Sequence, residues 1–580
     1  MLRLTAKSMA TLSVLAQSRH AKAEFDDKCG VSYSTEQELT NWSSTHSASP
    51  KRLYEPKSSQ EVVRVLQHFH DMKKKLRPVG TALSPNGIGM SDSDEDCMIS
   101  VANLDHISVD KEAMTCTVGA GITVSSLLAE LKKHDMTLEN FSSIQEQQMG
   151  GWTQVSAHGT GISLPPVDEM IVNMQIATPT EGLLSLSERK QSSVHPFVSR
   201  DLFRMCKVGL GGLGVVTELT LKCIPSLDLV EHTNIKTRKT ISCGHRDRLG
   251  KYRHVRYMWV PYSDTVVQIT TNPLPAGVQK ASITAHPQGM AEEKAAATSE
   301  LCSLLLSLKP EKDPSAVSKL SFSQLRDELL DISPLDVELV KRINRAEAAF
   351  WASNAGVRID DSTNILGFDC GGEQWVYEVC FPIGSLEQQP KEGCSSGKDV
   401  EFVKKLLAII EENGIAAPSP IEQRWTARST APMSPAYSEN PDDIFSWVGV
   451  IMYLPPSQTP AQRADITRAF WNYTSKLAPL FEEYGAHAHW AKIELPSSSR
   501  TPEEAAASGN DVINPRLDKL RQRVRERYDV EGYNSYRRAL DPHFVLGNEL
   551  MQTLFEPGRG SNAPAMDKKT LLERRKREKT

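Results

Sequence analysis

The sequence predicts an α+β fold, and three observations point to it. A capped amphipathic helix leads into a short strand and a turn of small residues at 58–90. Short β-branched and apolar runs then alternate with further small-residue loops as far as Pro225. Beyond Pro225, strand-like runs such as Val266-Val-Gln-Ile-Thr270 are mixed with amphipathic helices around 300–308 and 335–349.

Ser58-Ser-Gln-Glu61 reads as a capping box, with Val62, Val65, Leu66 and Phe69 following at helical spacing. Lys73, Lys74 and Lys75 suit the negative end of that helix. Val79 closes a strand, and Gly80, Thr81, Ala82 and Ser84 form a turn whose backbone N–H groups can converge on an anion. Ser84 and Asn86 add side-chain donors; on pattern alone the stretch also fits a plain turn. Residues 98–104 and 115–119 read as strands, and Thr123 caps a helix carrying Leu127, Leu128 and Leu131 on one face. The segments 140–151, 157–161 and 209–214 are further runs of small residues, and such loops between strands suit a long, phosphate-bearing cofactor gripped by backbone. Gly209-Leu-Gly-Gly-Leu-Gly214 matches a dinucleotide fingerprint in form only. That motif needs a helix after it, whereas Val215-Val-Thr-Glu-Leu-Thr-Leu221 has the period of a strand.

Composition is that of a globular protein of two or three domains, 24% charged and 39% hydrophobic. The formal charge of -5 gives no reason to expect nucleic acid. Ten scattered cysteines without a CxxC pair argue against zinc and a disulfide framework and for reduced, mostly buried thiols. Residues 1–23 are basic, amphipathic and free of acids, as in an organelle transit peptide, and also fit a plain disordered N-terminus; without their four basic residues the charge becomes -9. Residues 24–50 read as a polar, loop-like lead-in, 277–294 and 388–397 as surface insertions, 445–453 as a buried strand and 501–529 as largely helical. A basic tail at 557–580 reads as disordered. No stretch reaches the ~18 apolar residues of a membrane span.

From Asn41 to Phe555 the sequence resembles the aldonolactone oxidoreductases of the vanillyl-alcohol oxidase class, and most closely the plant-type galactonolactone dehydrogenases. The small-residue loops carry the likeness, together with Ile421-Glu-Gln-Arg-Trp-Thr-Ala-Arg428 and His489-Trp-Ala-Lys-Ile-Glu494. The resemblance implies a two-subdomain FAD-binding domain at 51–225, a mixed α/β cap at 226–480 and a C-terminal segment at 481–556 that completes the site. It implies FAD contacts along Arg77, Pro78, Val79, Gly80, Thr81, Ala82, Leu83, Ser84, Asn86 and Gly87 in the first loop. Ser142, Ser143, Gly150, Gly151, Ser156, His158, Gly159, Thr160, Gly161 and Val215 supply the rest. Leu83 stands where many such flavoproteins carry a histidine bonded to the flavin, so FAD is expected to be noncovalent. Ser142 aligns with an oxygen-gating position that is typically alanine in the plant enzymes, and Ser143 with one that touches substrate.

Glu422 and Arg424 sit two apart, so in a strand they share a face. An arginine there can stabilise developing negative charge and a glutamate can accept a hydroxyl proton; on pattern alone the two also fit a surface ion pair. The resemblance implies that both lie beside the flavin and contact substrate. It implies the same for Lys492, which alone reads as a solvated lysine. Cys370, in Leu366-Gly-Phe-Asp-Cys-Gly-Gly372, fits either a reactive or a buried inert thiol. His487 and His489 have no spaced third ligand, so no metal is assigned. The implied function is oxidation of L-galactono-1,4-lactone to L-ascorbate with cytochrome c as acceptor, in mitochondria, at the inner membrane facing the intermembrane space and either peripheral or soluble. An oxygen-using oxidase of L-gulono- or D-arabinono-1,4-lactone stays open, as does a mainly structural role in respiratory complex I assembly.

Overall fold

The computed structural model describes residues 23–188, 197–278, 298–368, 371–390, 395–496 and 515–555. The transit-peptide reading (Ala23 apart), the basic tail and Cys370 fall outside them, as do large parts of the 277–294 and 501–529 segments.

The first lobe packs two five-stranded sheets around one apolar core. One sheet runs Ala23–Asp26, Val31–Ser34, Arg52–Tyr54, Cys97–Ser100, Leu76–Val79. Its first two strands correct the loop-like reading of 24–50. Val31 and Tyr33 alternate with serines and turn inward, and Tyr54 donates to buried Asp26 at 2.7 Å; the polar composition hid a period of two. The second sheet is antiparallel and runs Gly182–Ser187, Ile171–Thr178, Val215–Lys222, Thr115–Gly119, Ile107–Asp110. The run after Gly214 is therefore a strand, as its period predicts. The helix Ser59–Met72 is capped by Ser58, which accepts from the Glu61 N–H, while the Glu61 carboxylate reaches back to the Lys57 N–H at 2.7 Å. Thr123 caps Val124–Lys133 in the predicted way.

The second lobe is an eight-stranded antiparallel sheet. Its order is Gly356–Asp361, Asp228–Thr237, Thr265–Pro273, His254–Trp259, Ile421–Ala427, Ile444–Tyr453, Gln374–Gly384, His487–Ala488. One face packs on the helices Lys398–Glu412 and Pro460–Glu483 through Tyr257, Trp425, Phe381 and Leu406. Part of the other face meets the first lobe, where Gly161 bridges to Thr426, and part packs through Met258 and Ile269 on Trp351 of the helix Val337–Ser353. The chain then returns to that lobe: Tyr533, Leu546, Met551 and Phe555 lie in the first lobe's core.

Seven described cysteines are free, but Cys243 is disulfide-bonded, which corrects the expectation that every thiol is reduced.

Candidate active site

Alternation along Ile421–Ala427 divides the strand between two tasks. Ile421, Gln423 and Trp425 face the core, where Trp425 Nε1 donates to Asp399 Oδ2 at 2.7 Å and Gln423 Nε2 to the Asp399 carbonyl at 3.0 Å. His245 donates to the same carboxylate at 2.8 Å. Glu422 and Arg424 therefore share the opposite face, with their backbone fixed from behind.

Register brings partners to that face. Arg256 pairs directly with Arg424 across the neighbouring strand. Two facing cations would repel, but Glu422 lies between them: its Oε1 is 3.5 Å from Arg256 Nη1 and its Oε2 is 3.4 Å from Arg424 Nε. On the other side, Gly449 pairs with both Glu422 and Glu378. Arg424 reaches across the intervening strand and donates from Nη2 to Glu378 Oε1 at 2.8 Å.

Lys492 donates to the other Glu378 oxygen. Its loop is tied to the same strand, because the His489 N–H donates to the Glu378 carbonyl at 2.9 Å. Glu378 is buried. Burial works to raise its carboxyl, but Lys492 and then Arg424 hold it well below the ordinary carboxylate range. His158 Nε2 lies 3.4 Å from Glu378 Oε2, and its ring stacks on Trp447 at 3.8 Å. Burial and the Arg424 charge push the His158 pKa down. Ligand atoms of His158, Glu378 and His489 come within 4.8 Å of one another. Lys492 and Arg424 already neutralise that carboxylate, so the cluster reads as an ion-pair network rather than a cation site.

Sequence reasoning brought Glu422, Arg424 and Lys492 forward and missed Glu378. The signal was a lone carboxylate inside Trp375-Val-Tyr-Glu-Val-Cys-Phe381, since a glutamate in an apolar strand demands a cation.

Two of the small-residue loops, 140–151 and 157–161, reach this face from the first lobe. Gly161 donates its N–H to the Trp425 carbonyl at 2.6 Å and bridges to Thr426. Thr160 donates to the Val255 carbonyl. A Cβ on Gly159 would lie 2.0 Å from Asn140 Oδ1, and one on Gly161, at φ +136°, 2.3 Å from the Arg253 carbonyl. In the first turn Ala82 is left-handed at φ 52° and accepts from the Trp42 N–H at 3.1 Å. Ser84 accepts from Asn41 at 3.0 Å, Thr81 donates to the Glu146 carbonyl at 3.0 Å, and Leu83 is buried. Gly80 lies against Gln148, Gly87 against the His46 ring and Pro78 against Gly211. Val79 ends its strand and Val215 begins one. Gly150 packs on Ala120, whereas Gly151 faces open space. Ser142 is pinned, donating to Gln147 Oε1 at 2.6 Å and accepting from Trp152 Nε1 at 2.9 Å.

Three side chains do something other than offer a donor to a cofactor. Arg77 is buried and spends its guanidinium on the carbonyls of Ile88, Leu210 and Leu546. Asn86 donates both amide hydrogens, to the Trp490 and Ile493 carbonyls at 2.8 Å each. Ser156 donates to Asp168 at 2.8 Å. Their geometry is that of internal fasteners. The turn still fits a long ligand held mainly by backbone, because Trp42 Nε1, Ser43 Oγ and Gln148 Oε1 are buried against it without a partner.

A narrow cleft, open to solvent, adjoins Arg424. Ser143, Gly159 and Thr160 line it from the first lobe, and Arg256, Phe368 and Ile269 from the second.

Comparison with known proteins gives two family matches along the chain. Residues 50–187 match the model of an FAD binding domain, and 219–554 match that of D-arabinono-1,4-lactone oxidase. The mitochondrial L-galactono-1,4-lactone dehydrogenase of Arabidopsis thaliana is 41% identical over 89% of this chain and 81% of its own length. One from Oryza sativa subsp. japonica is 42% identical over 89% and 83%. The chain belongs to the L-galactono-1,4-lactone dehydrogenase family. L-gulonolactone oxidase of Mus musculus is more distant, 25% identical over 78% of this chain and 89% of its own. Among solved structures, cholesterol oxidase from B. sterolicum superposes with a TM-score of 0.65, covering 90% of this chain and 97% of that one, at 15% identity, which is a likeness of fold. As a member of this family the chain is an FAD-dependent oxidoreductase. Its FAD-binding match carries the loops at 77–90, 140–151 and 157–161, and the lactone-oxidase match carries Arg256, Glu378, Glu422, Arg424 and Lys492.

Proposed function

We propose that the chain oxidises the C2 hydroxyl of L-galactono-1,4-lactone to give the 2-keto lactone, which tautomerises to L-ascorbate. The observation that carries this reading is Arg424, held between Glu422 and Glu378 at the cleft where the small-residue loops meet the sheet. When bound, FAD supplies the two-electron oxidation of the carbinol carbon. We infer that it is held noncovalently along the backbone of 79–84, by Ser142 and Ser143, by Gly150 and Gly151 and by 158–161, since Leu83 offers no nucleophile. Glu422 takes the hydroxyl proton. Arg424 and Lys492 stabilise negative charge on the substrate oxygen. Glu378 touches neither proton nor oxygen; it aims the two cations.

Cytochrome c is the proposed acceptor, and we infer a mitochondrial location at the inner membrane facing the intermembrane space, peripheral or soluble. Relatives with mitochondrial names support this, and no helix of the described residues is long and apolar enough to cross a membrane. Assembly intermediates of respiratory complex I are a further proposed partner.

The test is an assay of the purified, FAD-loaded chain with L-galactono-1,4-lactone, following cytochrome c reduction beside oxygen uptake. Fast cytochrome c reduction, little oxygen uptake and full release of FAD by acid are expected. Comparable oxygen uptake would replace the dehydrogenase reading with that of an oxidase, for which the distant L-gulonolactone oxidase similarity and Ser142 speak. No reduction by any aldonolactone would overturn both.

A further inference from the structure

His254 lines the cleft and is 3% exposed, yet neither ring nitrogen has a hydrogen-bond partner. Asn140 lines the same cleft from the first lobe at 2% exposure. Its Oδ1 accepts from the Phe141 N–H at 3.1 Å, while its Nδ2 has no partner. Burying such groups unpaired is costly, and both sit where a ligand in the cleft would meet them. His254 lies two residues before Arg256 and so on the same sheet face. It pairs with Thr271, which also lines the cleft.

We propose that His254 and Asn140 form a subsite for the hydroxyl-bearing tail of the sugar lactone, a neutral polyol chain, and that His254 sets preference among lactones. This rests on the proposed function and adds the residues that grip the end of the substrate that does not react. A neutral imidazole offers one donor and one acceptor, and Asn140 Nδ2 offers two donors. Vicinal hydroxyls, each donor and acceptor, satisfy that set. Burial, and then the neighbouring Arg253, push His254 down to about 3, so it meets the ligand uncharged. A carboxylate tail fits less well, because Arg256 and Arg424 already face Glu422.

The experiment compares kcat/KM of the FAD-loaded wild type and His254→Leu for L-galactono-1,4-lactone and for 2-hydroxy-γ-butyrolactone, which lacks the tail. The preference for the hydroxylated lactone is expected to fall about 10- to 100-fold. The melting temperature is expected to hold or rise, since the variant removes unpaired buried nitrogens. Equal losses on both substrates, or no change in the ratio, would overturn the proposal. His254→Asn supplies the same comparison should His254→Leu fail to fold. Calorimetric titration with ribitol reads the subsite apart from turnover. Binding by wild type that His254→Leu loses supports the subsite even if no lactone is oxidised, and no binding by either protein sinks it.

Discussion

Arg424 and Glu378 are joined at 2.8 Å although their strands never pair, because Ile444–Tyr453 runs between them. Gly449 is the residue of the intervening strand that pairs with Glu378, and Lys492 closes the same carboxylate from a third segment. Three stretches of chain thus meet at one buried anion, which gives Glu378 a role beyond ordinary packing.

Glu378→Gln keeps the shape and removes the charge. It leaves Arg424 and Lys492 facing a neutral amide, and breaking a buried pair in this way costs about 3–5 kcal/mol. Chemical denaturation is expected to show a loss of that size. Because both cations lose their aim, kcat is expected to fall more than KM rises; an unchanged kcat would remove Glu378 from the site's working parts.

Arg424→Ala is expected to slow anaerobic flavin reduction by about 10²–10³-fold, the range for losing one donor aimed at developing charge. Arg424→Lys restores charge but not the two-sided reach to Glu422 and Glu378, so only part of the rate should return. Stopped-flow absorbance of the flavin measures both.

Asn86→Ala removes the donors that hold the Trp490 and Ile493 carbonyls on either side of Lys492. A stability loss of about 1–3 kcal/mol is expected from the two buried acceptors left open. A lower kcat should accompany it, read in steady-state assays at saturating FAD.

Acid should destabilise the fold early. Burial, with Arg523 and Arg527 nearby, pushes His487 down to about 3, and burial, then Arg253, does the same to His254. An unfolded histidine titrates near about 6.5. The unfolded chain therefore binds the proton first as pH falls, and stability is lost from about 6.5 downward until the folded group itself titrates near 3. Each such histidine steepens the loss by at most ~1.4 kcal/mol per pH unit. Urea midpoints at pH 7.5 and 5 should differ less in His487→Gln than in wild type.

Much of this site could be read from residue types and spacing. Period two put Glu422 and Arg424 on one face, and the loops at 77–90 and 157–161 stood out by their small residues. What stayed hidden depended on register. Glu378 is separated from Arg424 by an intervening strand, and His254 matters through what it fails to contact. Asn86 reads as a donor for a cofactor because sequence shows a donor's presence, not that its hydrogens go to the Trp490 and Ile493 carbonyls. The strands at 23–34 were masked by the polar composition of the lead-in.

Asn86 fastens a segment some 400 residues downstream, and Arg77 reaches the Leu546 carbonyl. On the ribosome, the turn beside Gly80 emerges long before the residues that complete it. The first lobe must wait, with its core partly open, for Tyr533, Leu546 and Phe555 to arrive. Synthesis from Trp490 onward is therefore the step that completes the first lobe and the site. A polypeptide released before Trp490 would carry Glu422, Arg424 and Glu378 yet lack both the lysine and the carbonyls that hold the turn in register.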